Sequence, residues 1–290
     1  MANILIVGCG DIGCRLGLTL SEQHHTVYGM RRQDDLIPEP IQAIKANITA
    51  PIQNIPASID YVFYIASAGK YKDSAYYQAY VLGVKNTLNA LKEHNIKRFF
   101  FISSSSVFGQ VDGEMVDESS PTTEGSFATK RLLEGEELVN NSKIASTIIR
   151  FGGIYGPGRT HLIDLVLDGK AHCMDDVWSN RIHTDDCVGL LSHLFNLGEK
   201  QKDVIDGLYI GVDNQPTPTC EVYDWLAEQL CVPDVEHIEP KESSRQMRSN
   251  KRLSNAKIRA TGYEFKYPSY QDGYKELLYN IENDQIKTKK

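Results

Sequence analysis

The chain opens with an apolar run, Ile4-Leu5-Ile6-Val7, and passes at once into Gly8-Cys9-Gly10-Asp11-Ile12-Gly13, which leads into a helical pattern through Leu16 and Leu20. A short strand, a G-x-G-x-x-G loop and a helix in that order admit few folds. Gly8 permits a tight turn, Gly10 lets the backbone approach a pyrophosphate, and Gly13 lets the helix close on the strand. The anion then rests at the helix N-terminus beside Asp11 and Ile12, where backbone N–H groups lack helical partners. A chance glycine turn is the alternative. The second apolar run, Thr26 to Met30, should end at the residue that reads the adenosine ribose, and here it meets Arg31 and Arg32, the first of them 18 residues after Gly13. Two guanidiniums and no carboxylate suit a 2′-phosphate, which favours NADP while leaving NAD open. A solvated arginine pair, partly neutralised by Asp34 and Asp35, is the plainer reading.

Further short apolar runs at Tyr61 to Ala66, Phe99 to Ile102 and Ser146 to Phe151 read as strands buried on both faces, as in a parallel sheet. Between them lie helix patterns, clearest at Tyr76 to His94, where Tyr80, Val84, Leu88 and Leu91 recur at three- and four-residue steps. The alternation predicts an α/β fold, a doubly wound parallel sheet of the Rossmann type, with a small C-terminal substrate lobe. The expected boundaries place residues 1–155 in the dinucleotide-binding domain, completed by 184–213, and residues 156–183 and 214–290 in the lobe. Pro216, Pro218, Pro233, Pro240 and Pro268 break the second half into short elements, and Lys287 to Lys290 reads as a frayed tail.

Composition narrows the partners. The 290 residues carry a formal net charge of -7 with 24% charged residues, so no basic excess points to nucleic acid and no cationic stripe to a membrane surface. No apolar stretch nears the ~20 residues of a membrane-spanning helix, and no export signal is visible, so a cytoplasmic location is expected. The six cysteines (Cys9, Cys14, Cys173, Cys187, Cys220, Cys231) show no C-x-x-C pair and no zinc spacing with the eight histidines. They read as reduced, mostly buried thiols, with no metal site. The expected partner is a small-molecule substrate, and the chain a monomer or homodimer.

Four later segments extend the pattern. Phe101-Ile102-Ser103-Ser104-Ser105-Ser106-Val107-Phe108-Gly109 resembles the fifth strand and serine turn of the extended short-chain dehydrogenase/reductases, the group of nucleotide-sugar epimerases and dehydratases. Arg150 with Tyr155-Gly156-Pro157-Gly158 resembles that family's sixth-strand exit. Arg181-Ile182-His183-Thr184-Asp185-Asp186 resembles its return into the sheet, and Asn250-Lys251-Arg252 through Lys257 and Gly262 its late lobe helix. The resemblance implies a serine that polarises the substrate (Ser104, with Ser105 as rival), a tyrosine that passes the proton, and a lysine four residues later that holds the nicotinamide ribose (Lys130). At the tyrosine position stands Ser126, and an alkyl hydroxyl starts far above a phenol's pKa of ~10. The compact glycine loop, and Tyr80 where an asparagine is usual, also depart from the pattern. The chain resembles an atypical member.

Other candidates keep two readings each. Tyr155 is a relocated proton donor or an aromatic lid over the cofactor. Lys130 is a ribose contact or a helix-surface charge paired with Glu134. His183 and Asp186 read as structural. From Arg245 to Arg259 six basic residues and no acid occur (Arg245, Arg248, Lys251, Arg252, Lys257, Arg259), either a solvated face or, with Arg248 and Arg252, a grip on a substrate diphosphate. The leading expectation is an NAD(P)-binding oxidoreductase or epimerase/dehydratase-like enzyme acting on a small polar or nucleotide-sugar-like substrate. The rival is a non-catalytic NADP-binding sensor or scaffold.

Overall fold

A computed structural model describes residues 1–201, 204–205, 207–239 and 247–288. The chain divides into two compact units: residues 1–107, 122–150 and 188–209 form the first, and residues 108–121, 151–187 and 210–290 the second. The segment 108–121, which the sequence reading assigns to the dinucleotide-binding domain, sits with the second unit. Its strand Met115–Val116 pairs in parallel with Arg252–Leu253, a partner more than a hundred residues away that no local pattern announces.

The first unit is built on β1 (Asn3–Val7), β2 (Thr26–Arg31), β3 (Gln42–Lys45), β4 (Tyr61–Tyr64) and β5 (Arg98–Ser104). With the strands Ser146–Phe151 and Gly207–Gly211 they form one seven-stranded sheet, in the order Gly207–Gly211, Ser146–Phe151, β5, β4, β1, β2, β3. β1 pairs in parallel with both β2 and β4, β2 with β3, and β4 with β5. Ile4 to Val7 and Phe99 to Phe101 are wholly buried, as strands with helices on both sheet faces must be. Each such side chain contributes about 1.5–3 kcal/mol by leaving water. β3 escapes the sequence reading because it is an edge strand with one buried residue, Ile44, and hence no apolar run.

The expected helix at Tyr76 to His94 begins earlier and ends sooner, as Asp73–Tyr76, a π turn at Tyr77–Leu82, and Gly83–Ala90. At that turn the Tyr64 hydroxyl donates to the Ala79 carbonyl, the acceptor that the Gly83 N–H would take in a regular helix.

The second unit has its own core, with Tyr155, Tyr223, Leu226, Tyr270, Tyr274 and Leu277 buried together. Its strands are two or three residues long, as the prolines suggest, yet the helices Thr219–Leu230 and Tyr270–Thr288 are long. Pro218 and Pro268 stand just before these helices, where a missing N–H is harmless. The cysteine expectation needs correction, since Cys173 and Cys220 are joined as a disulfide across 47 residues. Cys9, Cys14, Cys187 and Cys231 are free thiols. Among the described residues no helix is long and apolar enough to cross a membrane. Lys289 and Lys290, within the expected frayed tail, lie outside the described residues.

Candidate active site

The strand order turns around at β1, with β2 and β3 to one side and β4 and β5 to the other. Ligands of open α/β sheets bind beyond the carboxyl ends of the strands at such a reversal. Gly8 follows β1 there with φ +91, and a Cβ on it would run into the Ile65 carbonyl carbon at 2.9 Å and the Ala66 backbone closer still. The Gly8 and Cys9 N–H groups both donate to the Met30 carbonyl at 3.0 Å, which ties the loop to the end of β2. A Cβ on Gly13 would meet the Gly8 carbonyl at 2.8 Å and Ile6 Cγ2 at 3.2 Å, so glycine is what lets the helix Asp11–Glu22 lie against β1.

Gly10 differs. A Cβ there would meet only the Gly8 carbonyl, at 4.0 Å, so protein packing does not require glycine. Gly10 is the N-cap of that helix and has no side chain to occupy its first N–H groups. In the first turn Asp11 pairs with Arg15 at 3.0 Å and Ile12 is buried. Cys9 packs under the loop beside Gly29, its Sγ 3.5 Å from that of Cys14, and burial first and Cys14 second push its thiol well above the usual range.

Arg31 ends β2 and donates to the Leu36 carbonyl at 3.4 Å; Arg32 is exposed. Asp34, a candidate neutraliser of the pair, instead meets Lys45 at 3.1 Å, and that hydrogen bond holds its carboxyl below the usual range.

At the end of β5 the serines alternate in direction. Ser103 turns inward and its Oγ donates to Glu136 at 2.6 Å. Arg150 grips the same carboxylate with Nε at 2.9 Å and Nη2 at 2.6 Å, and all three side chains are buried. Ser104 is half-buried and accepts from the Ser106 N–H at 3.2 Å, while Ser105 opens the following 3₁₀ turn. Glu136 was not singled out from sequence. Its signal is a carboxylate within the buried stripe Leu132, Gly135, Val139 of the helix Phe127–Asn140.

Ser126 lies just outside the helix that carries Lys130. The helix starts at Phe127, and Ser126 is its N-cap in an extended conformation, with Oγ accepting from the Thr129 N–H at 3.2 Å. Thr129 Oγ1 answers by accepting from the Ser126 N–H at 3.0 Å, closing a capping box. Lys130 is exposed, 3.9 Å from Glu124, and Glu134 serves Arg131 at 2.8 Å instead.

In the second unit Tyr155 is a core residue, 4% exposed, stacked on Tyr274 and edge-on to His183. Burial raises its pKa far above a phenol's usual value, and its hydroxyl stands where a Cβ on Gly273 would go. That setting does not suit a proton donor. Asp186 is buried and accepts from the Lys266 N–H at 2.7 Å, the Tyr267 N–H at 2.9 Å and the Tyr263 hydroxyl at 2.9 Å, so it organises the backbone ahead of the last helix. His183 Nδ1 accepts from the Asp185 N–H at 3.2 Å.

The basic run is not one face. Lys251 is buried, Lys257 and Arg259 are exposed, and Arg252 donates to the Gly113 carbonyl at 2.8 Å with its guanidinium over Trp178. Arg245 lies outside the described residues, as does the Arg248 side chain.

A family model described as the NAD dependent epimerase/dehydratase family matches residues 4–181. The chain belongs to that family. A solved structure of a protein from Methylobacillus flagellatus is 34% identical, covers 97% of this chain and 99% of its own, and superposes with a TM-score of 0.78. The human epimerase family protein SDR39U1, solved with NADPH, shares the fold at 17% identity, covering 96% of this chain and 99% of its own, with a TM-score of 0.75. Bacillus subtilis YtcB, named as an uncharacterized UDP-glucose epimerase, is 28% identical over 53% of this chain and 57% of its own length. The chain thus spans little more than half of that epimerase/dehydratase relative. Family membership accounts for the glycine loop and the sheet.

Proposed function

We propose that this chain binds a nicotinamide dinucleotide at the Gly8–Gly13 loop, prefers NADP, and uses it as an oxidoreductase or epimerase/dehydratase-like enzyme on a small polar carbonyl or sugar substrate. The observation that carries the reading is Gly10, a glycine that packing does not require, at a helix N-terminus on the sheet's topological reversal. The family and the NADPH-bound human neighbour support it. Gly8 and Gly13 keep the loop flat against β1, the helix start offers N–H groups to a pyrophosphate, and Arg31 and Arg32 face a 2′-phosphate without a carboxylate competitor.

When bound, the nicotinamide supplies or accepts a hydride. Ser104 orients the reacting oxygen by hydrogen bonding, with Ser105 as its rival, and Lys130 gives up its loose contact with Glu124 to hold the ribose. Ser126 is committed to the helix cap and Tyr155 to the core, so the proton comes from water or from the substrate. The same commitment favours a second reading, a binder that senses NADP without turnover.

NADPH deuterated at the nicotinamide C4, incubated with aldehydes, ketones and keto-sugars, separates the two. The enzyme reading expects label in a product, strongly reduced by Ser104→Ala, since such groups typically contribute ~10²–10⁴-fold. Tight NADPH binding with no labelled product across the panel replaces the enzyme with the sensor.

A further inference from the structure

The second unit brings together three side chains that nothing above uses. Cys173 ends the strand His172–Cys173, Cys220 is the second residue of the helix Thr219–Leu230, and His237 ends the strand Glu236–His237. The two strands pair in parallel with His237 beside Cys173, and the Ile238 N–H donates to the Cys173 carbonyl at 2.8 Å. The cysteine Cα atoms are 5.2 Å apart. Both sulfurs and a ring nitrogen of His237 lie within 4.8 Å of one another, the cysteines buried and the histidine exposed.

Two sulfurs and an imidazole are donors that zinc-type ions take, at about 2.3 Å and 2.0–2.1 Å, and tetrahedral ligands at those lengths stand about 3.4–3.8 Å apart. The imidazole nitrogen is therefore within about 1 Å of coordination spacing from the sulfurs, and the two bonded sulfurs must move apart as the disulfide opens. Each ring nitrogen of His237 also faces a carboxylate, Nδ1 with Asp175 at 2.9 Å and Nε2 with Asp224 at 3.2 Å. Whichever nitrogen takes a metal, the other keeps an acceptor for its N–H, the arrangement that orients metal-bound histidines. Asp224 stands four residues after Cys220 on the same helix face, so an oxygen donor is also at hand.

The geometry points to a redox-gated site for a soft divalent cation of the zinc class, formed by Cys173, Cys220 and His237. A dithiol reductant opens the gate: one of its thiolates attacks the Cys173–Cys220 bond, forming a mixed disulfide and releasing one cysteine, its second sulfur then attacks the first and releases the other cysteine, and it leaves as its own disulfide. Two electrons and two protons pass to the pair, leaving two thiols. The cation then displaces the two thiol protons and is held by two thiolates and a neutral imidazole. In the disulfide form neither sulfur is a thiolate, and His237 alone does not hold the ion. Sequence spacing hides the site because its ligands come from three elements.

Anaerobic titration of the full chain with cobalt(II) tests this, before and after reduction by a dithiol. The reduced chain should bind one equivalent with a thiolate-to-cobalt charge-transfer band, bleached by zinc, while the oxidised chain shows none. Cys220→Ser should abolish the band, His237→Ala, a surface change, should weaken binding at least about tenfold, and Cys14→Ser should leave it intact. No band in the reduced chain overturns the proposal. So does a band that survives Cys220→Ser, or one lost in Cys14→Ser, which would put the ion beside Cys9.

Discussion

Two stretches of the same sheet edge use their small polar and glycine residues in opposite ways. At the end of β1, Gly10 has no packing reason to be glycine, the helix after it starts without a side-chain cap, and Arg31 reaches the Leu36 carbonyl at 3.4 Å while Lys45 takes Asp34, one of the two acids that follow it. At the end of β5 and the start of the Phe127–Asn140 helix, the protein itself engages Ser103 and Ser126, while Ser104 stays half-buried. Ser103 is held by Glu136, Glu136 by Arg150, and Ser126 by Thr129. A region whose polar groups lack internal partners is open to a ligand, whereas one whose groups are satisfied is scaffold. The contrast separates cofactor binding, which this chain has the residues for, from proton transfer, for which the familiar position is already occupied by a cap.

The largest expected effect comes from breaking the scaffold. Glu136→Ala leaves the buried Arg150 without its carboxylate, and removing one member of a buried pair costs about 3–5 kcal/mol. Denaturant unfolding should show a loss of that size, with nucleotide affinity of the folded fraction unchanged. A loss below about 1 kcal/mol would show that the Ser103–Glu136–Arg150 contacts do not hold this edge together, and the contrast would fail on its scaffold side.

That network also marks the limit of what the sequence makes legible. β1, β4 and β5 stand out because both their faces are largely buried and their residues form apolar runs, and β2 because Val27 to Met30 leads to Arg31 at the spacing of a ribose reader. The glycine loop stands out because its neighbours along the chain are its neighbours in space. β3 is hidden by its edge position, and the segment 108–121 by a partner strand at Arg252–Leu253. Ser126 could be placed by its offset from Lys130, but its backbone conformation could not. The helix begins one residue later than a four-residue repeat implies, and its capping box has Thr129 where the usual signature has Glu or Gln, so the spacing does not announce it. Arg252 carries the charge of a phosphate ligand in sequence, whereas in the structure its guanidinium meets the Gly113 carbonyl and the Trp178 ring, which no spacing announces.

A smaller effect sharpens the same contrast. Ser126→Ala removes the N-cap and should cost about 1 kcal/mol, lowering the melting temperature by about 2–4 °C. Ser126→Gly should cost only a few tenths of that. If Ser126 acted on substrate instead, both variants would lower turnover far more than they lower the melting temperature, and the cap would not be the whole account of this position.

The open side of the comparison rests on the nucleotide itself. Fluorescence titration of the unmodified chain with NADPH and NADH, repeated on Arg31→Asp, addresses the central claim that the Gly8–Gly13 loop and Arg31 together form an NADP site. NADPH should bind at least about tenfold more tightly, roughly 1.4 kcal/mol, and Arg31→Asp should abolish or reverse the preference while NADH affinity holds. Equal affinities for the two nucleotides, or tighter NADH binding to the unmodified chain, would contradict it.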